Sequence, residues 1–310
     1  MQNRRFPAPA TLSAAARQFL DAAPPPEPVD LAPGALAARR RAIHAEAAPG
    51  NRALADALGV VVTEGQVAGI PVQWIAPARP VGDQVLLYLF GGGHITGSPD
   101  EDLAITARLA HFGGVRVCAP YYRLAPEHPF PAARDDVLEV WRALAGQPGK
   151  LALAGESAGA NLALSLIGAL AGRRLALPAA LALLSPWCDL SHSGDTIATL
   201  DGIDPTLSYA HHLQPMAAAY AGGRALDDPD ISPLFAGVPP GFPATIITTG
   251  TRDLLLSDCA RLSEKLRRAG VVVDLRVFEG MWHVFEYYPG LPEAEASTKG
   301  IADFLRLHLG

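Results

Sequence analysis

The feature that most limits what this chain can fold into is the alternation that runs from about residue 101 to its end. Five short apolar runs (115–121, 151–154, 180–185, 244–249 and 272–278) alternate there with helix-length segments at about 101–112, 132–146, 158–172, 257–269 and 292–309. The runs lack polar alternation, as expected of parallel strands covered on both faces. Strand and helix in alternation predict an α/β fold on a mainly parallel sheet. Three more strand candidates, 60–67, 71–76 and 84–90, come first. Ala68-Gly69 between the first two reads as a hairpin turn.

Two regions break the rhythm. Residues 12–23 and 31–47 read as short helices, separated by Ala23-Pro24-Pro25-Pro26-Glu27-Pro28, which no helix crosses. Nearly sixty residues then separate the strand ending near Ser185 from the one starting near Pro243. A structureless loop of that length is improbable in a compact domain, so it reads as an insertion with its own structure, including a helix-like piece at 208–220.

Composition narrows the function classes. A chain of 310 residues corresponds to two domains or one large α/β unit. With 49% hydrophobic and 18% charged residues it is not a disordered chain. A net charge of −6 leaves no basic footprint for nucleic acid and no basic stripe for an anionic membrane. No uncharged apolar window reaches the roughly 18 residues of a membrane span. Arg4-Arg5 precede a mildly apolar stretch, but Pro7, Pro9 and Arg17 interrupt it, which argues against an export signal. Cys118, Cys188 and Cys259 are too scattered for a disulfide framework or a metal site. They read as buried free thiols, which points to a reducing, cytoplasmic setting. Arginine outnumbers lysine heavily, as in the codon bias of a GC-rich bacterial genome.

The sharpest motif is Gly155-Glu156-Ser157-Ala158-Gly159. It follows the apolar run Leu151-Ala152-Leu153-Ala154 and opens a helix, the strand–turn–helix setting that lifts a serine hydroxyl above a sheet. A serine needs a base, and the base an orienting carboxylate. Of His192, His211, His212, His283 and His308, only His283 directly follows a strand. Asp253 ends the preceding one, in Gly250-Thr251-Arg252-Asp253. Asp258 is the alternative, placed to complement the dipole of the next helix. Gly91-Gly92-Gly93-His94 follows the strand at 84–90, and its amides could approach a developing oxyanion.

Together these residues, with Tyr122-Arg123-Leu124-Ala125-Pro126-Glu127-His128-Pro129-Phe130-Pro131-Ala132, resemble the hormone-sensitive-lipase-like carboxylesterases, a bacterial branch of the α/β-hydrolases. The resemblance implies an α/β-hydrolase fold: a mainly parallel eight-stranded sheet flanked by helices, with a helical cap. The cap is expected from 1–57 and 188–227, and the core from 58–187 and 228–310. Ser157, Asp253 and His283 would be the catalytic residues, and Gly91, Gly92 and Ala158 the oxyanion hole. This chain departs from the family at three positions. Phe90 stands where a histidine usually precedes the glycines, His94 where Phe or Trp is common, and Tyr121 where a small or acidic residue is usual. The Tyr122–Ala132 match reads as a structural loop, and Glu156 either as an electrostatic tuner or as an anchor of the turn.

The activity implied is hydrolysis of short- to medium-chain carboxylic esters through an acyl-enzyme, without metal or organic cofactor. Phe90, His94, Trp187 and Phe285, with Trp282, are the candidate substrate contacts, each weighed against plain packing. Residues 284–288 with Leu291-Pro292-Glu293-Ala294 look like members described as lactone hydrolases, the second reading. A non-catalytic ligand-binding homologue and a peptidase rank lower. The expected partner is a small-molecule ester, with a homodimer through an edge strand as the assembly the resemblance implies.

Overall fold

The computed structural model describes residues 6–147 and 149–309, so Arg4-Arg5 lie outside the described residues. The chain runs α1 (Ala14–Ala22), α2 (Pro33–Ala57), β1 (Val61–Val67), β2 (Ile70–Ala76), β3 (Val85–Leu89), α3 (Leu103–Gly113), β4 (Arg116–Pro120), α4 (Ala132–Ala145), β5 (Leu151–Glu156), α5 (Ser157–Gly172) and β6 (Ala180–Leu184). It continues through α6 (Thr196–Thr199), a π-turn at Tyr209–Leu213, α7 (Gln214–Ala221), β7 (Ala244–Gly250), α8 (Leu256–Arg268), β8 (Val273–Phe278) and α9 (Pro292–Leu309).

The eight strands form one sheet in the order β1-β2-β4-β3-β5-β6-β7-β8. Only β1–β2 and β2–β4 are antiparallel; every pair from β4 to β8 is parallel. This is the expected α/β-hydrolase architecture. The first hairpin closes with Val67 opposite Ile70, and Ala68 and Gly69 both have positive φ, matching the right-handed twist of the strands. β3 and β6 are buried along their whole length because helices cover both faces. α3 packs with α9, and α4 with α5.

α2 is longer than the sequence suggests. It passes Pro49 and ends at Ala57, although proline forfeits an intrahelical hydrogen bond. Tertiary contacts override that penalty: α2 packs on α3, and buried Asn51, two residues past the proline, donates to the Asp100 carbonyl at 3.2 Å. Residues 188–227, expected as an insertion, hold α6, the π-turn and α7. Leu36 of α2 shares an apolar cluster with Leu213, Met216 and Tyr220 of that insertion, and with Ala158. A third cluster joins Leu12 and Ala16 to Met281, Trp282 and Phe285. The proline-rich linker is pinned to the insertion by Val29 N–H donating to the His211 carbonyl at 3.0 Å.

All three cysteines are buried and unpaired. Among the described residues no helix is long and apolar enough to cross a membrane.

Candidate active site

β5 hands the chain to α5 at Ser157, whose φ of +50° lies in the left-handed region. A non-glycine residue held there is strained, and the turn around it must be over-determined. It is, because Gly159 lies so close to β3 that a Cβ would collide with the Leu89 and Phe90 carbonyl oxygens. The turn thus presents Ser157 at the carboxyl edge of the sheet, over the positive end of α5.

His283, on the loop after β8, places Nε2 2.9 Å from Ser157 Oγ. Its Nδ1 lies 3.1 Å from Oδ1 of Asp253, which follows β7. Thr249 Oγ1 donates to Asp253 Oδ2 at 2.7 Å and the Leu255 amide to Oδ1 at 2.9 Å. Burial pushes the Asp253 carboxyl up, but charge attraction and hydrogen bonding from His283, with further bonds, outweigh it, so its pKa is lowered. Burial pulls His283 down, but the charge and hydrogen bond of Asp253, with Asp204 and Glu286 acting the same way, outweigh it and leave its pKa raised. An ionised Asp253 only accepts, so Nδ1 carries the imidazole proton and Nε2 faces the serine hydroxyl as acceptor. Asp258 takes no part. It is buried in the first turn of α8, where Oδ2 accepts the Cys188 and Asp189 amides at 3.0 and 2.9 Å, a tie to the loop after β6 as well as a helix-end charge.

The glycine loop after β3 carries Gly91 and Gly92, two of the expected oxyanion donors. Gly91 presents its amide to the Glu156 carboxyl, and a Cβ there would run into that group. An amide engaged by a neighbouring carboxyl is a poorer donor for an oxyanion than a free one. The amides of Gly92 and Gly93 meet no backbone acceptor among the described residues, and Ala158, buried at the start of α5, remains. The loop is held from several sides. Thr96 N–H and Oγ1 donate to the Gly92 carbonyl at 3.0 and 2.9 Å, and Tyr122 OH donates to the Phe90 carbonyl. From α2, Arg40 Nε donates to the Ile95 carbonyl at 2.8 Å and Nη2 to that of Ala125 at 3.0 Å. Nη1 and Nη2 of the same guanidinium donate to Glu127 Oε1 and Oε2, each at 2.8 Å. The Tyr122–Ala132 segment is therefore bonded into the loop as scaffold.

The expected substrate contacts separate. Phe90 is no wall of the site: its ring stacks on Tyr122 at 4.1 Å in the main core, since the hydrophobic effect draws it inward where a histidine would need partners. Phe285 is likewise fully buried, packed with Phe278 at 4.9 Å and in the cluster of Trp282. Trp282 stacks on Phe19 of α1 at 4.2 Å. Trp187 shares the cluster of Ala158, and its amide donates to the Ser157 carbonyl at 3.2 Å. His94 stacks on Tyr220 at 3.6 Å, and burial lowers its pKa to about 3, so it is neutral. Tyr121 OH donates to Asp100 at 2.9 Å, away from the serine.

Two residues near this site carry no motif and escaped the sequence reading: Arg40, and Asp204 of the insertion, whose Oδ2 accepts the Leu254 and His283 amides at 3.0 and 3.3 Å. Both act across long sequence separations, and only the fold brings them in. Among the described residues no cluster of His, Cys, Asp or Glu could hold a metal ion.

An eight-stranded, mostly parallel sheet with a serine on its central strand-to-helix turn, and loops converging at the strands' carboxyl edge, defines an α/β hydrolase. Residues 86–287 match the family model described as the alpha/beta hydrolase fold. An acetyl-hydrolase of Streptomyces hygroscopicus is 36% identical over 256 residues, covering 81% of this chain and 84% of the relative. An esterase of Acinetobacter venetianus is 32% identical, covering 73% and 76%. Among solved structures, esterase E25 superposes with a TM-score of 0.92 at 34% identity, covering 100% of this chain and 98% of that one. An esterase of the bacterial hormone-sensitive lipase family gives 0.78 at 35%, covering 84% and 91%. The chain belongs to the α/β-hydrolase family, in its hormone-sensitive-lipase-like branch.

Proposed function

We propose that this protein is a serine carboxylesterase acting on short- to medium-chain esters through an acyl-enzyme. The observation that carries the reading is the unbroken line from Ser157 Oγ through His283 to Asp253. In this reading Ser157 attacks the ester carbonyl while His283 Nε2 takes its proton, and Asp253 holds the imidazole in the required tautomer. The amides of Ala158, Gly92 and Gly93 receive the oxyanion. His283 returns the proton to the departing alkoxide, and water then releases the acyl group by the reverse sequence. Relatives named acetyl-hydrolase and, from Pseudomonas putida, ethyl acetate hydrolase support a small acyl group.

The cap in this proposal comprises 1–57 and 188–227 over a core of 58–187 and 228–310. The partner is a small ester, with self-association along β8, whose edge exposes Val277; sedimentation velocity tests that. The three buried thiols support a reducing compartment.

The deciding experiment is hydrolysis of p-nitrophenyl acetate and butyrate by the wild type and by Ser157→Ala. Loss of about 10⁴-fold or more in kcat, with an unchanged circular dichroism spectrum, is expected. Retained turnover in that variant would defeat the assignment.

A further inference from the structure

Asp204 follows α6 in the insertion and is 2% exposed. Its Oδ1 accepts from the Thr206 amide and hydroxyl, both at 2.9 Å, and from the Leu207 amide at 3.2 Å. Those bonds fix the carboxyl on its own segment. The other oxygen reaches out of that segment to two main-chain amides, Leu254 beside Asp253, and His283 itself. One carboxylate therefore ties the insertion to both loops that carry the partners of Ser157.

We propose that Asp204 is a positioning residue: from the insertion it holds the Asp253 and His283 loops in register, and its negative charge helps keep His283 basic. The inference rests on the esterase reading. The other groups facing His283 are Asp253 from the β7 loop, Glu286 from the turn after it, and His212 from the π-turn. Burial above all raises the pKa of Glu286, which is bonded by Thr248 and Ser297. Burial lowers His212 to about 4, so it is neutral. Asp204 faces Asp253 and His283, with Tyr288 nearby. Burial, then Asp253, push its own pKa up to about 6. Above that pH, Asp204 adds a negative charge beside the imidazole to that of Asp253, and Glu286 acts on His283 in the same direction. Insertion and reaction centre are thereby coupled: displacing the segment removes a hydrogen bond and a charge together.

The test is the pH dependence of p-nitrophenyl acetate hydrolysis by Asp204→Asn. Removing a negative charge disfavours the imidazolium, so the acid limb of kcat/KM should move to lower pH by half a unit or more. An amide nitrogen also meets the Leu254 or His283 N–H poorly, so kcat should fall several-fold while KM changes less than twofold. An active variant whose acid limb stays in place overturns the proposal, since a purely structural role lowers activity at every pH alike. If Asp204→Asn does not fold, Thr206→Val removes one donor and makes the Asp204 anion less favourable. The limb should then move in the same direction by a smaller step, and an unmoved limb overturns the idea. A wild type without Ser157-dependent hydrolysis sinks the esterase reading as well. A Ser157-dependent wild type with an unmoved variant limb sinks this inference alone.

Discussion

Glu156 sits one residue before the serine with its carboxyl against the Gly91 amide. Burial, and next the neighbouring Asp102, push its pKa well up. Asp102 is itself raised to about 7 by burial and accepts from Tyr88 OH at 2.7 Å. A carboxyl driven towards its neutral form contributes little field at the serine, so Glu156 acts as an anchor for the glycine loop. A neutral isostere should then serve almost as well. Glu156→Gln is expected to keep kcat/KM for p-nitrophenyl acetate within about threefold of wild type. Glu156→Ala, which leaves the Gly91 amide without its acceptor and opens space under the loop, should lose tenfold or more, mainly in kcat. Equal losses in the two variants would show that the charge, and not the anchor, matters. The same logic accounts for Phe90. Its ring and the Tyr122 hydroxyl support the loop where a histidine side chain would otherwise do so.

Among the elements, the strands and the first hairpin were legible in the sequence because their signals are local: apolar runs, and a turn dipeptide able to take positive φ. The serine turn was legible for the same reason, and Asp253 and His283 stood out as its candidate partners because each lies on the loop that follows a strand, β7 and β8. What could not be read depends on distant pairings. α2 runs through Pro49 because α3 supports it, Gly91 is committed by a side chain 65 positions further along, and Arg40 reaches residues 55 and 87 positions away. Arg40 is the point at which α2 grips the glycine loop. Its planar fork serves a carboxylate and two carbonyls together, a geometry lysine cannot reproduce. Hydrogen bonds to charged groups are worth about 1.5–3 kcal/mol. The pair with Glu127 is 28% and 46% exposed, so solvent screening reduces its share to about 0–1 kcal/mol. Arg40→Lys is therefore expected to cost about 1–2 kcal/mol in urea denaturation and to lower kcat several-fold with little change in KM. A variant that loses stability with kcat intact would confine Arg40 to holding the helix.

Across the whole molecule, buried titratable groups set how stability responds to pH. His94, His192 and His212 are lowered by burial to about 3, 4 and 4. The unfolded chain binds their protons below about pH 6.5 and the folded chain does not. They therefore make stability fall as pH drops through that window and lose their effect once pH is about a unit above it. Asp258 has the opposite sign. Burial above all raises its pKa to about 8, so the folded state keeps a proton that the unfolded state releases near pH 4. Its contribution is most favourable at low pH and is progressively lost up to about pH 8, at up to ~1.4 kcal/mol per pH unit for one proton. From about pH 7.5 upward the three histidines are silent, while Asp258, raised to about 8, still titrates. Stability of the wild type should thus decline with rising pH there. Asp258→Asn keeps a carbonyl oxygen for the Cys188 and Asp189 amides and has no proton to lose. Urea unfolding from pH 6 to 8.5 should show the variant gaining on the wild type as pH rises, with a visibly flatter slope. Parallel curves would mean that the Asp258 carboxyl does not titrate in this range, and the alkaline decline would then have to originate elsewhere.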